Sequence, residues 1–411
     1  MAEVCYPPGL LGVDEAIQRL LVLAREQQPA VVTLPLAQAA GHVLAADVHA
    51  AMDVPPQANS AMDGYAFCAA DVVAEQPLAI SQRIPAGQAP QPLQRGSAAR
   101  IFTGAIVPPG ADTVVMQENC EADTVRVLIK KLPEAGANIR PAGQDVARGS
   151  LLLARGSRLG PVALGLLASA AVVAVDVFQP LRVAVLSTGD ELLEPGEAWR
   201  PAAIYNSNRP MLLQLLRDWG CEVLDLGRVA DSAAATENAL QQAVASKADV
   251  IISSGGVSVG EEDHVKTALQ KNGELAFWKI AIKPGKPVAV GRIGSAIFLG
   301  LPGNPQSVWV TALLLARPLL LARQGQAEVL PRALPVPAGF VRERAGDRRE
   351  YLRVQLQDSA EGLQLLPHPQ QSSGALMSAA WAHGLAAIEA GQIVKPGTAL
   401  PFLPFSTLIH P

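Results

Sequence analysis

Charge is scarce in this chain: only 17% of its 411 residues are Asp, Glu, Lys or Arg. The 33 basic and 37 acidic side chains leave a net charge of −4, with no basic block anywhere. That disfavours a nucleic-acid platform, because neutralising a phosphate backbone takes clustered Lys and Arg. A small anionic ligand needs only a few local charges, so it stays open. Aromatics are equally sparse at 4%, and the cores must come mainly from Ala, Val and Leu. The four cysteines, Cys5, Cys68, Cys120 and Cys221, lie far apart and form no CxxC pair. This argues against a zinc site or a disulfide framework and fits thiols in a reducing cytosol. The six histidines (42, 49, 264, 368, 383 and 410) show no metal-ligand spacing. The first residues hold Glu3 and Pro7-Pro8, not the basic-then-apolar pattern of a signal peptide. An uncharged stretch at 159–175 has 17 residues, short of the ~20 that span a bilayer. With Gly160-Pro161 at its start and Val172-Val173 near its end, it reads as a buried helix running into a strand. The expectation is a soluble, cytoplasmic protein with no membrane partner.

What the chain does have is apolar residues (49%), 35 glycines and 33 prolines. Its length suggests about two to four domains. Residues 13–24 place Val13, Ile17, Leu20, Leu21 and Ala24 on one helical face, with Asp14 and Glu15 in the first turn, where a helix dipole favours acids. From about 53 to 144 short apolar runs broken by Pro and Gly predict a small β-rich module. From 181 to 330 strands and helices alternate, which predicts a parallel, doubly wound α/β sheet with ligands at the carboxyl ends of its strands. Asn208 there is expected to cap a helix that Gly220 ends. Beyond Leu330-Pro331 short strands predict a C-terminal β-barrel or sandwich, in which the arginine-rich stretch 342–353 reads as a hairpin with paired surface charge.

Chemistry gathers at the strand ends of the α/β region. Ser187-Thr188-Gly189-Asp190-Glu191 combines a tight turn, hydroxyls that face an anion and carboxylates that hold a hard cation. Ser253 to Asp263, reading SSGGVSVGEED, sets glycines and hydroxyls before a helix start, with acids that would repel a phosphate unless a divalent cation bridged them. Neither loop is a P-loop, and no GxGxxG follows a strand, so a standard dinucleotide fold is disfavoured. Lys279, Lys283 and Lys286 fall within eight residues, stiffened by Pro284, Gly285 and Pro287. The loop GLPGNPQS (300–307) is rigid and shapes a wall, since its prolines restrict φ and remove amide donors.

Together with DVPPQANSAMDGYA (53–66), IFTGAIVPPGADTVVMQE (101–118), STGDEL (187–192) and KIAIKPGKP (279–287), these stretches closely resemble the molybdopterin molybdenumtransferase family, which includes bacterial MoeA and the E-domain of gephyrin. They do so in the family's order and spacing over most of the chain. The resemblance implies a multidomain α/β subunit. A discontinuous helical, dimerising domain (1–52 and 145–180) would carry the inserted β module (53–144), followed by a molybdopterin-binding α/β domain (181–330) and a C-terminal β domain (331–411). It implies a homodimer that inserts molybdate into adenylylated molybdopterin and releases AMP with the help of Mg2+. By similarity, Asp63, Thr103, Glu191, Asp231 and Asp263 match catalytic positions, Asp63 and Thr103 reaching across the dimer interface. Ser187, Thr188, Gly189, Ser258, Lys279, Lys283, Lys286, Pro302, Pro305 and Ser307 match substrate-binding positions. Asp190, Glu191, Asp231 and Asp263 are the candidate metal ligands. Two further readings stay open: a molybdopterin adenylyltransferase, which shares the α/β domain and which is also a candidate partner alongside downstream cofactor-handling proteins, and a gephyrin-like scaffold. The chain departs from the family at Gly143-Gln144-Asp145, usually Gly-Glu-Asp, and at Gln371-Ser372-Ser373, usually Gln-Gly-Ser.

Overall fold

The computed structural model describes residues 9–73, 75–257, 264–360 and 362–410. Its centre is a six-stranded sheet in the order Glu222–Val229, Arg182–Thr188, Val250–Ser254, Ala296–Leu301, Ala289–Ile293, Gly273–Trp278. The first four strands run parallel, Ala289–Ile293 runs against them, and the edge strand Gly273–Trp278 runs with them again. Side chains alternate across a strand, and here both faces are covered. Val183, Val185, Val250, Ile252, Ile297 and Leu299 point into one core, while Ala184, Leu186, Ile251 and Phe298 point into the other. Helices Asn208–Asp218 and Pro305–Thr311 pack on the first face, and Ala233–Ala245 and His264–Asn272 on the second. The sheet is therefore doubly wound, with one reversed strand next to its edge that alternation alone does not reveal.

The helix that begins at Pro305 continues through a wider π turn at Ala312–Ala316 into Arg317–Arg323. Pro318 supplies the reason: its ring would clash with the carbonyl one α-turn back, and a wider turn relieves that. By length and composition this helix could cross a membrane, but 89% of its apolar window is buried in the core. Helix Val13–Arg25 buries Val13, Ala16, Leu20, Leu21 and Ala24 in the same core. The sequence groups residues 1–52 with the discontinuous piece; this helix lays its apolar stripe on the α/β core.

Strand Val31–Pro35 pairs with Ala174–Phe178, and Val48–His49 with Leu151–Leu153, so a piece built from two distant segments does form. Beyond helix Val13–Arg25 its described residues are mostly β, with one α-helix, Pro161–Ser169. That helix is not buried as expected: only Leu167 is inside, and Val162 is 86% exposed. Chain crossings at the base, Ser60 with Ile139 and Val54 with Val146, lead into and out of the β module. Asp145 and Gly143 use their amides on Val54 and Pro55 carbonyls there. The module is one sheet in the order Thr113–Met116, Gly64–Phe67, Ser97–Ile101, Leu78–Ile84, Arg126–Ile129, Cys120–Ala122.

The C-terminal domain packs Arg349–Ser359 between Gly362–Pro367 and Gly384–Ile388, with Ala399–Pro404 and Leu334–Pro337 beyond. A bridge from Ala338 to Leu365 joins the far strand back to the near one, which curls the sheet into a barrel. Ile282–Lys283 of the α/β domain pairs with Arg349–Glu350, tying the domains by backbone hydrogen bonds. The arginines of 342–353 are largely paired: Arg342 with Glu350, and Arg349 with Asp14 and Glu389. Arg353 is buried and donates to Ser378 Oγ at 3.2 Å.

Candidate functional site

The carboxyl ends of the parallel strands open into a cleft of about 720 Å3. Thr188, Gly189, Glu191 and Asp231 line one side, Ser254 to Val257 the floor, and Pro302 to Pro305 with Ser307 the opposite wall. Seven of the sequence-predicted positions thus meet here: Thr188, Gly189, Glu191, Asp231, Pro302, Pro305 and Ser307. Ser187 lies just beneath, fully buried, its hydroxyl 2.8 Å from that of Ser254 on the neighbouring strand.

The loops are locked from within. Asp190 N donates to Asp231 Oδ2 at 3.2 Å and Asp231 N to Asp190 Oδ1 at 3.1 Å, a reciprocal clasp between two strand ends. Arg200 adds a bond to the Asp190 carbonyl at 2.6 Å. Each aspartate keeps one carboxylate oxygen outside the clasp. Gly255 and Gly256 follow with φ of +92° and +66°, a conformation that glycine adopts without strain. A Cβ on Gly255 would sit 2.8 Å from the Thr188 carbonyl, so the two loops touch backbone to backbone. Buried Thr188 Oγ1 has no hydrogen-bond partner among the described residues.

Sequence reasoning missed part of this cleft. Ile204, Tyr205, Asn206 and Asn208 line it, and so does Gly374 from the C-terminal domain. Asn208 is not a helix cap: the helix starts at Asn208 itself, and its Nδ2 donates to the Gly303 carbonyl at 2.7 Å. It therefore pins the 302–305 wall, a long-range contact that no local pattern signals. Gln306, fully buried, reaches the carbonyls of Ala375 and Leu376 and brings Gly374 to the rim.

The lysines stand elsewhere. None of Lys279, Lys283 and Lys286 is among the described lining residues, where only Pro287 represents their segment. Lys279 stacks over Trp278 at 5.0 Å, Lys283 pairs with Glu350 at 3.3 Å, and Lys286 is exposed. No basic side chain is found among the described lining residues, whereas two carboxylates are. Ser258 and Asp263 lie outside the described residues.

Asp63 and Thr103 come together in the β module and do not line the cleft of the same chain. Thr103 gives Asp63 Oδ1 two bonds, from its amide at 2.7 Å and its hydroxyl at 2.8 Å. These, the amide first, hold the Asp63 carboxyl below the usual range, aided by Arg100. The shift favours the charged form of Asp63, so it is not suited to deliver a proton at neutral pH. Thr103→Val removes one donor to the charged form and is expected to raise the Asp63 pKa, read by a carboxyl-carbon NMR titration. An unchanged midpoint would contradict the assignment. Elsewhere burial pushes the Cys221 thiol up to about 12 and the Cys120 thiol up to about 11, so both stay protonated and unreactive.

A doubly wound domain with a glycine-bearing cleft at its strand ends defines an α/β protein built to take a ligand where the parallel strands end, held inside a larger multidomain chain. Family profiles agree along its length: "MoeA N-terminal region (domain I and II)" over residues 11–171, "Probable molybdopterin binding domain" over 184–322, and "MoeA C-terminal region (domain IV)" over 335–405. A molybdopterin molybdenumtransferase of Haemophilus influenzae is 42% identical over 78% of this chain and 79% of its own length. One from Synechococcus elongatus is 34% identical over 93% and 96%. The crystal structure of a molybdopterin biosynthesis MoeA protein from Pyrococcus horikoshii superimposes with a TM-score of 0.79 at 30% identity, over 96% of this chain and 99% of that one. The chain belongs to the MoeA family of molybdopterin molybdenumtransferases.

Proposed function

We propose that this chain is a transferase of molybdenum cofactor biosynthesis that inserts molybdate into adenylylated molybdopterin at the strand-end cleft, with release of AMP. The observation that carries the ligand class is the pairing of an unpartnered Thr188 hydroxyl and two left-handed glycines with Glu191 and Asp231. Backbone amides and a hydroxyl suit phosphate oxygens. Two carboxylates beside them, with no basic side chain among the described lining residues, would repel a pyrophosphate unless a cation stood between.

Mg2+ fits that donor set, since it takes one or two carboxylates plus substrate phosphates. Among the described residues no three His, Cys, Asp or Glu cluster as a ready-made metal cage, so such an ion would need substrate and water to complete its ligands. Glu191 and Asp231 would hold it, with the free Asp190 oxygen at the edge; bound there, the ion would offset charge on the pyrophosphate oxygens. The chain's own residues do the rest. Asn208 fixes the 302–305 wall and the Asp190–Asp231 clasp orients the acids.

Swapping molybdate oxygens for dithiolene sulfurs passes protons from the sulfurs to oxygens that leave as water, and ionised Asp63 would relay one of them. Because Asp63 and Thr103 stand away from their own chain's cleft, a second copy supplies them, which makes the working unit a homodimer in the cytoplasm. The test is AMP release from adenylylated molybdopterin, expected only when both molybdate and Mg2+ are present. Consumption of ATP with metal-free molybdopterin, and no AMP release, would instead identify the adenylyltransferase. Failure to bind molybdopterin would identify a scaffold.

A further inference from the structure

A second, smaller cavity of about 160 Å3 lies where the discontinuous piece meets the α/β domain. Residues 40–43, Arg158 and 178–180 wall it from one side, Gly220 and Gln324 from the other. No acidic side chain lines it among the described residues. Yet a half-buried guanidinium points in. Arg158 has no carboxylate partner among the described residues; its hydrogen bond to the Trp219 carbonyl is long, 3.5 Å. That carbonyl, at the end of helix Asn208–Asp218, already accepts from Gln324 Nε2 at 2.9 Å. Capping the helix is therefore not what Arg158 is needed for.

Behind it stands a second unbalanced cation. Arg317 is buried, donates to the Val329 carbonyl at 3.0 Å, and leaves its Nε without a partner among the described residues. Burial, then the charge of Arg158, pulls its pKa down to about 10. Two guanidiniums in a desolvated corner with no acid between them repel each other, an arrangement that costs stability unless an anion answers it. Glycines keep the approach open. A Cβ on Gly220 would stand 3.3 Å from the Arg158 guanidinium, and one on Gly41 4.0 Å. At roughly 30 Å3 per water, the cavity has room for several waters or a small polyatomic anion.

We propose that this interdomain cavity binds a small tetrahedral oxyanion of the phosphate and molybdate class on the Arg158 guanidinium, with the charge of Arg317 behind it. Charge-assisted, forked bonds from arginine suit that geometry. The anion links the discontinuous piece to the α/β domain, independently of what the strand-end cleft does.

Calorimetric titration of the full chain with inorganic phosphate, and separately with molybdate, is expected to reveal a site that Arg158→Gln weakens at least about tenfold, as loss of a charged hydrogen-bond donor does. The tighter of the two anions identifies the natural occupant. Crystals of the wild-type chain soaked in molybdate should show an anomalous peak within hydrogen-bonding reach of Arg158, a reading that stands even if the variant misfolds. AMP release by Arg158→Gln is expected to match wild type, and the cavity result does not depend on whether AMP is released at all. Equal anion binding by the variant, or an empty cavity at saturating molybdate, overturns the proposal.

Discussion

Asp231→Asn lowers the rate of AMP release by about 10²–10³-fold, the loss typical of removing one group that stabilises charge in a buried transition state. The substitution is conservative in shape. An asparagine oxygen can still accept the Asp190 amide, so the clasp between the two strand ends survives and the fold with it. What disappears is one of the two negative charges among the described lining residues, the other being Glu191. The Mg2+ concentration for half-maximal activity should rise about tenfold or more, while thermal unfolding shifts by no more than a few degrees. Those two readouts separate a metal-holding role from a structural one. Wild-type activity at wild-type Mg2+ would remove Asp231 from the mechanism.

Gly255→Ala should damage both stability and binding. Its φ of +92° alone costs a residue with a Cβ about 1–2 kcal/mol. The new methyl would also stand 2.8 Å from the Thr188 carbonyl and 3.0 Å from Thr188 Oγ1, so one strand end must move. Together these effects amount to about 2–3 kcal/mol. Gly227→Ala is the control: its φ is +73° with nothing within 4 Å, so it bears conformational strain without a clash. Urea unfolding can be followed through Trp219, which is fully buried in the α/β core. Gly255→Ala should unfold at clearly lower urea than Gly227→Ala and bind molybdopterin at least about tenfold more weakly. Equal behaviour of the two variants would show that the close approach of the loops does not matter.

Much of the cleft is legible in the sequence because its parts are contiguous there. STGDEL and SSGG each end a strand, and strand ends in a doubly wound sheet converge by topology. The 302–307 loop belongs to the same pattern. Asn208 reads locally as a cap because its true partner, Gly303, is 95 residues away, beyond the reach of any local rule. Gly374 and Gln306 carry no local signal for the same reason: the barrel's contribution depends on docking between domains. The uncharged 159–175 stretch reads as buried because composition records apolarity but not which face is covered. Val162 and Val173, 86% and 82% exposed, show the difference.

The sparse charge of this chain is itself informative. It argues against a polyanion surface, and it directs attention to the few places where acids and lysines gather. By itself the sequence determined the fold class, the family and the loops that build the cleft, since each is encoded by local periodicity or short contiguous motifs. Only the tertiary structure decided how those charges are spent: Lys283 on Glu350, Asp190 and Asp231 on each other's amides, and Asp63 on Thr103, away from its own chain's cleft. It alone set Arg158 beside a cavity with no acid, among the described residues, to answer it. Partners distant in sequence are chosen by packing, and packing sums contacts over the whole chain.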